Sequence, residues 1–321
     1  MSSEVQLSLR DLLIDAQQKG VLSGKLIWDA PMSRYTTWRI GGTAECLYQP
    51  LSIEDLQAFF KLLKKDIEVY WLGLGSNLLI RDGGLKGVVI CTNGVLNNFN
   101  IECDAQTKEC LISAQAGLAS ALFSRKAANE SVHGAEFLSG IPGTIGGALA
   151  MNAGAFGSET WSFVKNVTMI NRQGEKLIRT ADDFNIGYRK AELKKIQQEW
   201  FVEAEFLFHK DADGLKKSKQ EIKQLLAKRA ATQPTKQANA GSVFKNPKND
   251  FAARLIESCG LKGLSINDAQ VSEKHANFII NKNKAKACDV ETLIKKIQET
   301  VYQQHQVKLE TEVCIIGQAE G

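Results

Sequence analysis

Three short stretches combine residue types that could move protons or hold charge. Tyr188-Arg189 follows the turn residues Asn185-Ile186-Gly187. A buried guanidinium there could clamp a carboxylate at two points or stabilise a developing enolate. A surface arginine is the plainer alternative. Ala240-Gly-Ser-Val-Phe-Lys-Asn-Pro247 places Ser242 in a tight turn, with Lys245 and Asn246 close behind. A nucleophile elbow needs glycine two before and two after the serine, where Ala240 and Phe244 stand. A hydrolase triad is therefore disfavoured, although His275 is present. Leu309-Glu-Thr-Glu-Val313 carries Glu310 and Glu312 two residues apart, on one face of an expected last strand. An exposed edge would show the same pattern.

Two glycine-rich stretches could hold an anion or a flat ring. Gly73-Leu-Gly75-Ser-Asn-Leu78 begins like a dinucleotide fingerprint, but Leu78 stands in the third glycine's place and Asp82-Gly-Gly84 intervenes before any helix. The Rossmann reading is weak, and the phosphate-loop pattern with its lysine is absent. Such a turn can still wrap a phosphate, because glycines let backbone N–H groups converge and Ser76 and Asn77 add side-chain donors. A tight turn between strands remains open. Gly140-Ile-Pro-Gly143-Thr-Ile-Gly146-Gly147 is denser, and Ala148, Ala150, Ala153, Gly154 and Ala155 continue the small-residue surface. So long a run favours ligand contact over mere close packing. Together the stretches point to a large phosphate-bearing cofactor lying across several loops.

The elements that must position these residues fit a globular chain. At 321 residues, two or three domains are expected. Forty Lys+Arg against 36 Asp+Glu leave +4, too small an excess to make nucleic acid the main partner. The N-terminus shows no basic region followed by an apolar run. The uncharged stretch 137–158 carries six glycines and Pro142, so it reads as a loop system and not as a membrane span. Seven cysteines without a C-x-x-C pair, and four scattered histidines, support neither a disulfide framework nor a metal site. Reduced thiols in a cytoplasmic protein are the expectation. The first thirty residues look helical and then loop-like, and Ser52-Ile-Glu-Asp55 resembles a capping box before a helix. Strands are predicted at 68–72, 86–92, 99–103, 110–114, 164–170, 176–179 and 200–208, and a helix at 118–129. The basic segment 210–229 reads as a helical bridge into a C-terminal unit. That unit has helices at 251–259 (ended by Gly260) and 289–304, and strands at 276–280 and 307–316. The irregular alternation favours α+β over a doubly wound sheet.

The motifs, taken in order, carry a resemblance. Thr36-Thr-Trp-Arg-Ile-Gly-Gly42, Leu74-Gly-Ser-Asn-Leu-Leu79, Gly140 to Gly147, Met151-Asn-Ala-Gly154, Tyr188-Arg189, Ala240 to Pro247, Val271-Ser-Glu-Lys-His-Ala-Asn-Phe278 and Leu309 to Val313 span residues 34–317. The chain resembles the UDP-N-acetylenolpyruvoylglucosamine reductase (MurB) family of bacterial cell-wall synthesis. The resemblance implies an FAD-binding fold of the vanillyl-alcohol-oxidase (PCMH) type, built from two α+β subdomains at 1–85 and 86–209. It also implies a C-terminal α+β substrate-binding domain at 210–321. Non-covalent FAD, NADPH as co-substrate and reduction of UDP-N-acetylglucosamine enolpyruvate to UDP-N-acetylmuramate follow, with both ligands using one pocket in turn. The expected partner is the nucleotide sugar alone, bound by a cytoplasmic monomer with no nucleic-acid or membrane partner.

By the same resemblance, Ser242 is the proton donor, and Arg189 and Glu312 flank the enolpyruvyl group. FAD contacts fall on Gly73, Gly75, Ser76, Asn77, Leu78, Ser139, Gly140, Ile141, Gly143, Thr144, Gly146, Gly147, Asn152, Ala153, Gly154 and Arg229. Substrate contacts fall on Asn77, Tyr188, Lys245, Asn246, Lys262 and His275. Four features depart from the family pattern. Ala191 replaces a serine, Asn267-Asp268 replaces Gly-Gly in a loop beside the substrate, and Cys314 replaces an arginine. The short gap between Arg189 and Trp200 leaves little room for the tyrosine-bearing insertion of one subfamily, so the chain resembles the shorter type. The competing readings are a flavin oxidase with another substrate, a non-catalytic nucleotide-sugar-binding protein, and nucleic-acid binding through 210–229.

Overall fold

Residues 8–211 and 213–320 are described in the computed structural model, so the part of the expected N-terminal helix ahead of Ser8 lies outside them. Helix α1 (Leu9–Gln18) starts where Ser8 accepts a hydrogen bond from the Asp11 N–H. Strands β1 (Lys25–Pro31) and β2 (Thr43–Gln49) follow. Neither was expected, because the buried positions of β2 run together at its end and break the two-residue alternation. Ser52 caps α2 (Ile53–Leu62) as its box predicts, but the box is not reciprocal. The Asp55 carboxylate instead accepts from the N–H groups of Ser23 and Leu51 and from the Tyr48 hydroxyl. Strands β3 (Val69–Leu72), β4 (Leu78–Ile80) and β5 (Leu85–Cys91) come next. The first sheet has the order β1-β2-β5-β3, with β1 antiparallel and the others parallel. β5 is therefore a central strand of the first unit. The border expected after residue 85 cuts into it and belongs beyond Cys91.

The second unit is an antiparallel sheet built around the long strand Glu199–Lys210. That strand pairs with Val164–Asn171 on one side and with β7 (Glu109–Gln115) on the other; β7 in turn pairs with β6 (Phe99–Cys103). Cys103 and Cys110 face each other across the β6–β7 ladder with Cα atoms 4.0 Å apart, and they form a disulfide. This corrects the reading of all seven cysteines as free thiols. The pairing follows from hairpin register, which an odd cysteine count does not reveal. Helices α3 (Ser120–Asn129) and α4 (Ile145–Ala150) cover the sheet. Helix α5 (Gly214–Thr232) packs on α3 and on the turn Glu136–Gly140. Gly214 lies so close to the Ser131 carbonyl that a Cβ would come within 2.4 Å of it, and the Ser218 hydroxyl donates to Glu136. α5 is thus an outer layer of the second unit and not a bridge out of it, so the border placed at residue 210 moves past its C-terminus.

The third unit joins α6 (Ala252–Ser258), a small antiparallel sheet ending in Ile279–Asn281, and α7 (Ala287–His305). Gly260, at φ +69°, ends α6. The last strand is only Cys314–Ile316, shorter than expected, and it pairs in parallel with β4 of the first unit. Trp38 crosses the other way. It is fully buried in the third unit's core, and its Nε1–H donates to the Ile279 carbonyl at 2.7 Å. These two crossings lock the first and third units together. No described helix is long and apolar enough to cross a membrane.

Candidate active site

A cavity of about 590 Å³ opens where the three units meet, within the range of roughly 300–1,000 Å³ usual for cofactor and ligand sites. One wall comes from the turn between β3 and β4, with Gly73, Gly75, Ser76, Asn77 and Leu78. The facing wall comes from Gly140, Ile141, Gly143, Thr144, Gly147, Ala153 and Gly154. The two loops also touch each other: a Cβ on Gly73 would lie 2.5 Å from Thr144 Oγ1. Gly75, at φ +67°, would place one 2.3 Å from the Tyr35 carbonyl oxygen. Close packing and ligand access thus both require these glycines. Among the described residues nothing accepts from the N–H groups of Gly75, Ser76 and Asn77, which leaves donors for an anion. Lys228 and Arg229 of α5 line the same cavity, and no described carboxylate lies within ion-pair distance of either. Burial pushes the Arg229 guanidinium pKa down, and its Nε donates to Gln233 Oε1 at 3.0 Å. Free N–H groups, unpaired cations and small side chains are the features a flavin dinucleotide requires.

Three expected cofactor contacts stand behind the walls. Ser139 is buried and its hydroxyl donates to the Glu136 carbonyl at 2.7 Å. Gly146 packs against Ala116, where a Cβ would meet the alanine Cβ at 2.9 Å. Asn152, at φ +38°, accepts from the Trp161 N–H at 3.1 Å and donates to the Gly187 carbonyl at 3.3 Å. It thereby braces the turn that carries Arg189.

Arg189 occupies the second position of the two-residue turn between strands Phe184–Gly187 and Lys190–Leu193. Its φ of +56° is left-handed, a conformation costing a non-glycine residue roughly 1–2 kcal/mol. Its Nε lies 2.8 Å from Glu312 Oε1. The N–H does not point along that contact, so the pair is held by charge without an aligned hydrogen bond. Burial pushes the Glu312 carboxyl pKa up, while Arg189 and Lys245 pull it back. Glu312 precedes the last strand instead of lying on it; Glu310 is the exposed member of the pair and approaches Lys245 at 3.8 Å. The N–H of Glu312 donates to the Val243 carbonyl at 2.7 Å, and Asn77 Nδ2 donates to the Glu312 carbonyl at 3.2 Å. Gly241, at φ +75°, turns the chain into Ser242, which lines the cavity with Arg189 and Glu312. A cation, a buried acid and a hydroxyl on one cavity can bind a carboxylate and stabilise charge that develops next to it.

Of the expected substrate contacts, only Asn77 lies in the wall. Tyr188 is exposed, with the Arg189 guanidinium 5.5 Å above its ring. Asn246 Oδ1 accepts from the Ala252 N–H at the start of α6 at 3.1 Å. Lys262 pairs with Glu257 at 2.9 Å. The His275 ring lies 4.8 Å from Phe278, and burial pushes its pKa down. Lys245 likewise stands outside the wall beside Glu310. Lys228, Gln233 and Phe156 line the cavity without having been expected there. For Gln233 the signal was its place four residues after Arg229, at the C-cap of α5; Lys228 is only adjacent to Arg229, a spacing that does not put two residues on one helix face. Asn267 takes φ +47° in a hairpin turn, the left-handed conformation a glycine would give, and neither it nor Asp268 reaches the cavity wall. Cys314 does reach it. Away from the wall, His133, Glu136 and Glu221 converge within 4.8 Å, but Glu136 is already bound by the Gly134 N–H and the Ser218 hydroxyl.

Known proteins place this architecture. Residues 233–316 match the family described as UDP-N-acetylenolpyruvoylglucosamine reductase, C-terminal domain, and residues 44–180 match the FAD binding domain. The UDP-N-acetylenolpyruvoylglucosamine reductase of Methylococcus capsulatus is 49% identical over 291 residues, covering 91% of this chain and 93% of that one. The protein of the same name from Legionella pneumophila is 48% identical over 308 residues, covering 95% and 97%. The crystal structure of the reductase from Thermus caldophilus superposes with a TM-score of 0.73 at 28% identity, covering 92% of this chain and 99% of that one. The chain therefore belongs to the UDP-N-acetylenolpyruvoylglucosamine reductase family and is an FAD-dependent oxidoreductase.

Proposed function

We propose that this chain reduces UDP-N-acetylglucosamine enolpyruvate to UDP-N-acetylmuramate with NADPH as donor, as a cytoplasmic monomer in peptidoglycan precursor synthesis. The observation that carries the reading is the Arg189–Glu312 pair opening onto the same cavity as Ser242. FAD, when bound, supplies the hydride chemistry, accepting from NADPH and donating to the enolpyruvyl double bond. The Gly75–Asn77 N–H groups, with Lys228 and Arg229, would hold its diphosphate. Hydride addition to the methylene carbon leaves negative charge on the carbon beside the substrate carboxylate. Arg189 offsets that charge, and Glu312 fixes the guanidinium against it. Ser242 gives its proton to the charged carbon and regains one from solvent. A hydroxyl is a very weak acid, so it requires this charge stabilisation next to it.

Anaerobic stopped-flow absorbance tests the assignment. Flavin bands should bleach with NADPH and return with the enolpyruvyl nucleotide. Ser242→Ala should leave bleaching nearly intact and slow the return by about 10²–10⁴-fold. Equal slowing of both halves would remove Ser242 from the role of proton donor. Return with air alone, and none with the nucleotide, would favour an oxidase with another substrate.

A further inference from the structure

Asn277 has no assigned role, yet it holds the chain that carries the proton donor. It is only 4% exposed. Its Oδ1 accepts from the Phe244 N–H at 2.9 Å, and its Nδ2 donates to the Phe244 carbonyl at 2.8 Å. Its own main-chain carbonyl accepts from the Val243 N–H at 2.9 Å. Three bonds from one residue therefore fix the two residues that directly follow Ser242. A primary amide is suited to this task, because it presents one donor and one acceptor side by side to both polar groups of a single residue. The clamped segment also holds the other half of the site. The Val243 carbonyl accepts from the Glu312 N–H, and Phe244 bridges to Thr311. Ser242 and Glu312 are thus mounted on opposite sides of one short junction, and Asn277 sets its position.

We propose that Asn277 is a positioning residue that fixes the placement of the Ser242 hydroxyl relative to the Arg189–Glu312 pair. This inference rests on the proton-donor reading of Ser242 given above. Its effect belongs to the second half of the reaction only. Flavin reduction by NADPH needs no proton from Ser242, whereas return of the hydride to the substrate does. If the clamp served stability alone, its loss would slow both halves alike or neither.

The test is anaerobic stopped-flow on the FAD-loaded full chain, comparing Asn277→Ala, Asn277→Asp, Ser242→Ala and the double variant Ser242→Ala with Asn277→Ala. Asn277→Ala should leave flavin reduction by NADPH within about threefold and slow re-oxidation by the enolpyruvyl nucleotide about 10- to 100-fold. In the Ser242→Ala background the same change should cost less than about threefold further, because the group being positioned is gone. An undiminished further loss in the double variant, or equal slowing of both halves, would overturn the proposal. Asn277→Asp keeps the side chain's shape and its acceptor for the Phe244 N–H but loses the donor. It should show the same selective slowing, and it decides the question if Asn277→Ala does not fold. Ser242→Ala alone reports on the functional reading. If it slows re-oxidation selectively while the Asn277 variants do not, only the inference about Asn277 fails.

Discussion

Glu312 is a carboxyl drawn out of water and set against one guanidinium. Burial is the larger influence and raises its pKa, so the folded protein holds its proton more tightly than the unfolded chain does. The stability this contributes is complete below the ordinary glutamate pKa of about 4.3 and is lost as pH rises through the raised value. Glu312→Gln cannot ionise. Its Tm relative to wild type should therefore climb as pH is raised from below that ordinary value, and a pH-independent difference would refute the assignment. Arg189→Lys keeps the charge but not the planar fork, and should slow re-oxidation by about 10²-fold while sparing flavin reduction. Stopped-flow with both substrates would check this. At this scale the sequence was informative where residue type and motif coincided: Arg189, Ser242 and Glu312 reach one cavity although 123 residues of chain separate the first from the last. It was least informative for long polar side chains. Lys245, Asn246 and Lys262 are directed by local partners that spacing does not disclose.

The glycine loops show how an element can serve packing and binding together. Gly75 needs its left-handed backbone and its missing Cβ. Gly75→Ala should destabilise the protein by about 1–3 kcal/mol, read by chemical denaturation. Gly147 differs. It lies in α4, and a Cβ there would meet only Thr144 Oγ1 at 3.8 Å. Gly147→Ala should leave the apoprotein as stable, or up to about 1 kcal/mol more so. It should still weaken FAD binding, because the added methyl enters the cavity. A flavin titration beside a melting curve separates the two effects, and unchanged FAD affinity would mean that this wall does not touch the cofactor. Most helices and strands were legible from period and caps, as at Ser52 and Gly260. β1 and β2 were not: the buried run Cys46–Tyr48 breaks the alternation of β2, and β1 is an edge strand whose mostly half-buried residues show no alternation either.

At the scale of the whole molecule, the site exists because the chain's two ends cross. Trp38 leaves the first unit to fill the third unit's core, and the Cys314–Ile316 strand returns to pair with β4. Asn281 Nδ2 donates to the Trp38 carbonyl at 3.0 Å, and Thr37 Oγ1 donates to the Asn239 carbonyl at 2.7 Å, three residues before Ser242. The segment that carries Ser242 and the turn that carries Gly75 are therefore coupled through residues 37 and 38. Trp38→Ala should cost about 3–5 kcal/mol; in calorimetry the wild type should unfold in one transition and the variant in two, as the third unit loosens from the first. A single transition in the variant would mean that the remaining crossing suffices.

By itself the sequence determined the fold class, the family resemblance and the three residues on which the chemistry is proposed to rest. These are carried by short motifs, and turn geometry, capping and charge act over a few neighbours. Only the tertiary structure decided where the units divide, that Cys103 and Cys110 pair, and that Asn277 and Asn152 hydrogen-bond to the segments that carry Ser242 and Arg189. Strand register, helix docking and side-chain hydrogen bonds across dozens of residues depend on which surfaces meet. No local pattern encodes that meeting, because the free energy that selects it comes from burying all the units together.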